Sequence, residues 1–207
     1  MDNSVIDTEN NTGYRHKIGI LGGTFNPIHN AHLELAKAAY EQYSLDKVLI
    51  MVSPNPPHKA GQNIVDVTHR NNMVKLAISP YDFLEFSDFE QKREGFIYTA
   101  ETLTLLKKEF PMNDYYFIVG GDSLENIDRW YHPEIVLANC VLLASGRDEL
   151  FDTALEERIA KVNEKYNADV RMIKLKKFDV SSTDIRAGDF DGVPEAVFKY
   201  IKENSLY

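Results

Sequence analysis

The sequence predicts an α/β protein: a doubly wound, Rossmann-like open parallel sheet with helices on both faces. Three observations carry this. Six apolar runs alternate with stretches of helical period along the chain, the order that parallel strands and crossover helices produce. Two of those runs, VLIMV and CVLLA, are apolar at successive positions rather than at every second one, so both faces of the sheet are expected to be covered. At 207 residues, 43% of them hydrophobic, the chain can bury a substantial core as one domain.

The elements follow in order. Met1 to His16 is acidic and polar and reads as a loosely held extension, so the single domain is expected over 17–207. The opening has neither the basic start nor the apolar core of a signal or transit peptide. No apolar run nears the roughly 20 residues that a membrane helix needs, and a cytoplasmic protein without membrane attachment is expected. Strands are predicted at 17–21 (KIGIL), 47–52 (KVLIMV), 83–87 (FLEFS), 115–119 (YYFIV), 140–144 (CVLLA) and 170–175 (VRMIKL). Between them HLELAKAAYEQY has helical spacing and enters near Asn30, and YTAETLTLLKKEF places Leu103, Leu106 and Phe110 on one face. The long loop 53–66, SPNPPHKAGQNIVD, is proline-rich at its start and has the length of a functional segment over a site.

Charge and cysteine content exclude whole classes. Lys+Arg of 23 against Asp+Glu of 32 gives a net charge of −9, so no broad basic face exists for a nucleic-acid backbone. A local basic site for a small phosphorylated ligand is still compatible with that balance. The one cysteine, Cys140, rules out an internal disulfide and fits a reducing compartment. Its small apolar neighbours point to inert packing rather than a reactive thiol.

The chemistry concentrates just past the strand ends, where open parallel sheets bind ligands. In GGTFNPIHNAHL, Gly22 and Gly23 end the first strand and are expected to let the backbone turn sharply, and the next helix aims its free N–H groups and positive dipole end at that turn. Neither the dinucleotide fingerprint nor the Walker loop is present. His29 and His32, three residues apart at the helix entrance, are expected on neighbouring parts of one face. They could donate into a single anion; zinc, the competing use, needs about four ligands, and no further Cys or acidic cluster accompanies them. SPNPPHK delivers His58 and Lys59 after the second strand, and VSSTDIR offers a helix start capped by Ser181, Ser182 or Thr183 with Arg186 on its first turn. Taken singly, each has an ordinary structural use: a tight turn, a solvated lysine, a good cap.

Together and in this order, these motifs resemble the nucleotidylyltransferase superfamily, and within it the nicotinate-nucleotide adenylyltransferases. The likeness runs from about Lys17 to the closing YIKENSLY and includes GGTFNPIHNAHL, PNPPHK, THRNNMVKLAI, REGFIYTAETL, YYFIVGGDSLENIDRWY and VSSTDIR. The resemblance implies ATP and nicotinate mononucleotide as substrates and Mg²⁺ carried mainly on the ATP phosphates, with no metal site on the protein itself. It implies in-line attack without a covalent intermediate, and no nucleic-acid or membrane partner; self-association into a homo-oligomer is left open. Carried over by position, it assigns His29, His32, Lys59 and Arg186 to the reacting phosphates. It assigns Gly22, Gly23, Thr24, Phe25, Gly120, Asp122, Arg147, Ser181 and Ser182 to ATP. Thr99, Trp130 and Tyr131 fall on the pyridine nucleotide.

Three positions depart from the family pattern: Asn26 stands for the usual Asp, Ala31 for the usual Gly, and in LLASGRDE Asp148 replaces a proline next to Arg147. Rival readings are a relative that uses nicotinamide mononucleotide or phosphopantetheine, and a nucleotide sensor without turnover. A phosphate-ester hydrolase would need a carboxylate cluster that Asp122 and Asp184 do not make recognisable.

Overall fold

The computed structural model describes residues 13–55, 64–93, 95–146, 153–176 and 180–207. Six parallel strands form one sheet in the order β3-β2-β1-β4-β5-β6: β1 (His16–Gly23), β2 (Lys47–Val52), β3 (Leu84–Ser87), β4 (Asn113–Gly120), β5 (Val141–Ser145) and β6 (Val170–Ile173). Strand order reverses between β1 and β4, which pair directly, and this crevice is where a doubly wound sheet accepts ligands. All six predicted strands are present; β2 has the predicted bounds and the other five have shifted ends. β1 runs on to Gly23, because Gly22 and Gly23 are still paired with Met51 and Val52 of β2. β5 begins after Cys140, which instead closes the preceding helix, its thiol directed to the Val136 carbonyl. Burial pushes that thiol up to about 12, which leaves it protonated at neutral pH.

Successive residues of each strand enter opposite layers, as the pleat requires. On one face Val48, Ile50 and Val52 of β2, with Tyr116 and Ile118 of β4, pack against α1 (Asn30–Tyr43), α2 (Val67–Ile78) and α8 (Glu195–Glu203). On the other, Ile18 and Ile20 of β1 and Tyr115, Phe117 and Val119 of β4 meet α3 (Thr99–Glu109), α4 (Gly121–Glu125), α5 (Pro133–Asn139) and α6 (Thr153–Tyr166). The uninterrupted apolar run of β2 is thus accounted for by two covered faces. Phe110, expected on the face of Leu103 and Leu106, lies one residue past α3 and is only partly buried against the same layer.

Tyr14 and Arg15, in the segment read as an extension, are anchored to the sheet margin. Tyr14 donates to Asp46, and Arg15 donates to Asp114 and to the carbonyls of Pro111 and Asn113. Among the described residues no helix is long and apolar enough to cross a membrane.

Candidate active site

At the switch point lies a cleft of about 1280 Å³. It is lined by the end of β1 and the loop Thr24–Asn26, by the end of β4 with α4, and by Tyr98, Thr99, Trp130 and Tyr131. The glycines end β1 as expected, but the turn itself is made two residues on. They remain in the strand, and the left-handed turn falls on Phe25, with φ 48. A Cβ on Gly23 would stand 2.9 Å from the Phe25 ring, so this position is held to glycine by the ring that folds back over it. The loop then enters α1 at His29.

The two histidines are in contact, their ring centroids 3.7 Å apart, as the three-residue spacing predicts. They are not equivalent. His32 lines the cleft, braced edge-on by Phe25 at 5.0 Å, while His29 is buried behind it. The His29 backbone N–H donates to Nδ1 of His32 at 3.2 Å. That assignment makes Nδ1 an acceptor and leaves the proton of the neutral ring on Nε2. The Nδ1 of His29 has no hydrogen-bond partner among the described residues, and burial lowers this imidazole to about 4.

The His29 shift has a measurable consequence. Between about 4 and the ordinary 6.5 of an imidazole, the unfolded chain binds a proton that the folded chain refuses, so stability falls as pH falls through that window. The loss amounts to about 3 kcal/mol at most. Urea unfolding at pH 7 and pH 4.5 is expected to show a smaller pH-dependent loss for His29→Gln, which cannot titrate, than for the parent; equal losses would refute the buried neutral imidazole.

The late motif reaches this same loop. Ser181 caps α7 (Ser182–Arg186), accepting from the Asp184 N–H. Ser182 Oγ donates to the Pro27 carbonyl at 2.9 Å, and Arg186 Nη1 donates to the Asn26 carbonyl at 2.9 Å. Residues some 160 positions apart are therefore locked together. Ser182 lines the cleft; Ser181 and Arg186 stand behind it, with the Ser181 hydroxyl directed to Asp184. Gly120 and Asp122 line the wall at the end of β4. A Cβ on neighbouring Gly121 would come within 3.0 Å of the Ser145 carbonyl, which keeps α4 close to β5.

Among the aromatic lining residues, Trp130 packs edge-on against Phe117 at 6.2 Å, and Tyr131 lies 4.3 Å from the Tyr98 ring. The segment that presents them is tied down by Asp128. Its carboxylate accepts from Lys165, Tyr166 and Arg158 of α6, and those bonds hold it well below the usual carboxylate range. Of the assigned residues, Lys59 and Arg147 lie outside the described residues.

Arg70, in THRNNMVKLAI, has no role expected from the sequence. It is 2% exposed, and its guanidinium donates to the carbonyls of Thr24, Ser53, Pro54 and Val65. It thus joins the loop after β1 to both ends of the segment that follows β2. Glu90, on a short turn after β3, also lines the cleft and accepts from Thr102.

A cleft at the switch point, with a neutral imidazole, helix N-termini and a docked guanidinium around one loop, defines the class: an α/β enzyme that handles nucleotides. Comparison with known proteins narrows it. The cytidylyltransferase-like family matches residues 20–188. A probable nicotinate-nucleotide adenylyltransferase of Lachnoclostridium phytofermentans is 42% identical over 197 residues, covering 92% of this chain and 98% of the relative. One of that name from Clostridium tetani is 39% identical over 198 residues, with the same coverage of both chains. The chain belongs to the cytidylyltransferase-like family and, within it, to the nicotinate-nucleotide adenylyltransferases. Among solved structures, nicotinic acid mononucleotide adenylyltransferase of Plasmodium falciparum, complexed with APC, superposes with a TM-score of 0.74 over 93% of this chain and 97% of its own. At 19% identity that likeness is one of fold. The same enzyme complexed with NaAD gives 0.74 at 20% identity, with the same coverage.

Proposed function

We propose that this enzyme transfers the adenylyl group of ATP to nicotinate mononucleotide, forming deamido-NAD and pyrophosphate. The observation that carries the reading is the convergence of the β1 loop, His32 and Ser182 of α7 on one cleft that Trp130 and Tyr131 also line. The first group suits a polyphosphate and the aromatic pair a flat heteroaromatic ring.

In this reaction a phosphate oxygen of nicotinate mononucleotide attacks the α-phosphorus in line. The bond from that phosphorus to the bridging oxygen breaks, and pyrophosphate leaves with the electron pair. The attacking oxygen is already anionic, so the protein needs no nucleophile and little base. Its task is to align two anions and offset their repulsion, for which orientation supplies on the order of 7–11 kcal/mol at best. We assign His32 Nε2–H to the phosphate oxygens around the reacting phosphorus, with His29 behind it. Backbone N–H groups of Gly22 to Phe25 line the chain of phosphates, Lys59 and Ser182 complete the anion site, and Ser181 and Arg186 brace it from behind. Gly120, Asp122 and Arg147 take the ATP nucleoside; Thr99, Trp130 and Tyr131 take the pyridine nucleotide.

Mg²⁺ would arrive on the nucleotide. Its donors would then be mainly phosphate oxygens and water. We take 17–207 as the catalytic domain, acting in the cytoplasm on small nucleotides rather than on nucleic acid.

Incubation with ATP, Mg²⁺ and either nicotinate or nicotinamide mononucleotide tests the proposal by product identification. Deamido-NAD with equimolar pyrophosphate is expected; its absence would overturn the reading. Trp130→Ala is expected to raise the KM for nicotinate mononucleotide about tenfold, the value of one base–aromatic stack, with the KM for ATP unchanged. The reverse pattern would reassign the aromatic pair.

A further inference from the structure

Asn26 joins elements that are remote in the chain. Its backbone carbonyl accepts from Arg186, and its Oδ1 accepts from the Val65 N–H at 3.2 Å and from the Tyr207 hydroxyl at 2.7 Å. Asn26 is itself 5% exposed and lines the cleft beside Phe25. The nucleotide loop is therefore fixed on its inner side by Arg186, and at its amide by the return of the segment after β2 and by a tyrosine 181 positions away.

The approach of Tyr207 is built into the chain. After α8 the backbone turns through Ser205, whose φ of 51 lies in the left-handed region, and the Leu206 N–H closes on the Ile201 carbonyl. Leu206 packs against the core layer of α1 and α2, and this turn carries Tyr207 back toward the loop. Tyr207 is 37% exposed and makes its side-chain hydrogen bond through the hydroxyl. Burial raises the phenol far above its ordinary range, although Arg186 and Arg70 oppose the rise; the group remains a hydrogen-bond donor at any working pH.

We propose that Tyr207 is a positioning residue for adenylyl transfer: through Asn26 it holds the nucleotide loop in register with Arg186. The inference deepens the proposed function and rests on it for its kinetic part. An in-line displacement tolerates little misplacement, and a displacement of about 1 Å in a supporting group can cost on the order of 100-fold. Tyr207 never touches the reacting atoms, so its effect must pass through Asn26.

The test compares Tyr207→Phe, Asn26→Ala and the double variant. Tyr207→Phe keeps the ring and its packing, and it is expected to lower kcat about tenfold while both KM values and the melting temperature hold. The double variant is expected to be no slower than Asn26→Ala alone, because the two act through one bond. In parallel, amide hydrogen exchange at Phe25, Asn26 and Ile28 is expected to quicken in Tyr207→Phe. Unchanged exchange at these amides, a kcat within twofold of the parent, or losses that simply multiply in the double variant would each overturn the inference. Failure of the parent chain to form deamido-NAD, with exchange in the loop still quickened, would overturn the functional reading and leave the positioning role standing.

Discussion

Alanine at position 32 is expected to lower kcat by about 10²–10³-fold, the usual cost of one donor aimed at developing charge, while the affinity for nicotinate mononucleotide changes little. The expectation follows from the inequality of the two imidazoles. His32 is the one that lines the cleft, and the His29 N–H on its Nδ1 leaves Nε2–H as the donor. Charge on the transferred phosphoryl oxygens grows toward the transition state, so a fixed donor there lowers the barrier more than it strengthens ground-state binding.

The alanine variant also deletes the acceptor for the His29 N–H, a local loss of about 1 kcal/mol. His32→Asn separates the two effects, because its amide oxygen can replace Nδ1 but carries nothing in place of Nε2. Equal kcat losses in His32→Ala and His32→Asn, with part of the rate restored in His32→Gln, would assign the effect to the distal donor. If turnover and nicotinate mononucleotide affinity fell together in steady-state and calorimetric measurements, His32 would be a binding residue only.

The fold class was legible because apolar runs and helical spacing are local signals, and the switch point follows from their order once the sheet is parallel. The contact between His29 and His32 was legible for the same reason: spacing alone places them one turn apart. Their unequal burial was not, since spacing along a helix does not say which of two neighbours faces the cleft and which the interior. Gly22 and Gly23 read as turn formers, but a glycine's purpose depends on what comes opposite it, and here that is a phenyl ring and a neighbouring strand. The cap at Ser181 was one of three candidates that the sequence left equal, and the geometry selects it. The bond between Tyr207 and Asn26 has no local signal at all. Arg70 was hidden for a different reason: a charged residue in a helix reads as solvent-facing, and here it occupies the core face that Met73 and Val74 also serve.

Arg70→Met is accordingly expected to destabilise the protein by about 3 kcal/mol and to impair turnover as well. The substitution leaves the carbonyls of Thr24, Ser53, Pro54 and Val65 without their donor, and each buried acceptor left unpaired costs about 1–3 kcal/mol. Against that loss, the variant no longer buries a cation, whose desolvation already lowers the pKa of Arg70 and offsets part of the bonding. Four carbonyls on three separate stretches of backbone still outweigh one desolvated guanidinium that is well hydrogen-bonded. Arg70→Lys is expected to recover only part of the loss, because a compact ammonium cannot span the spread of carbonyls that the planar fork reaches. Urea unfolding checks the ranking, with the midpoint falling in the order parent, Arg70→Lys, Arg70→Met at unchanged slope. A methionine variant as stable as the parent would mean that the loop beside His32 holds its shape without Arg70, and the organisation of the nucleotide loop would then rest on α7 and Asn26 alone.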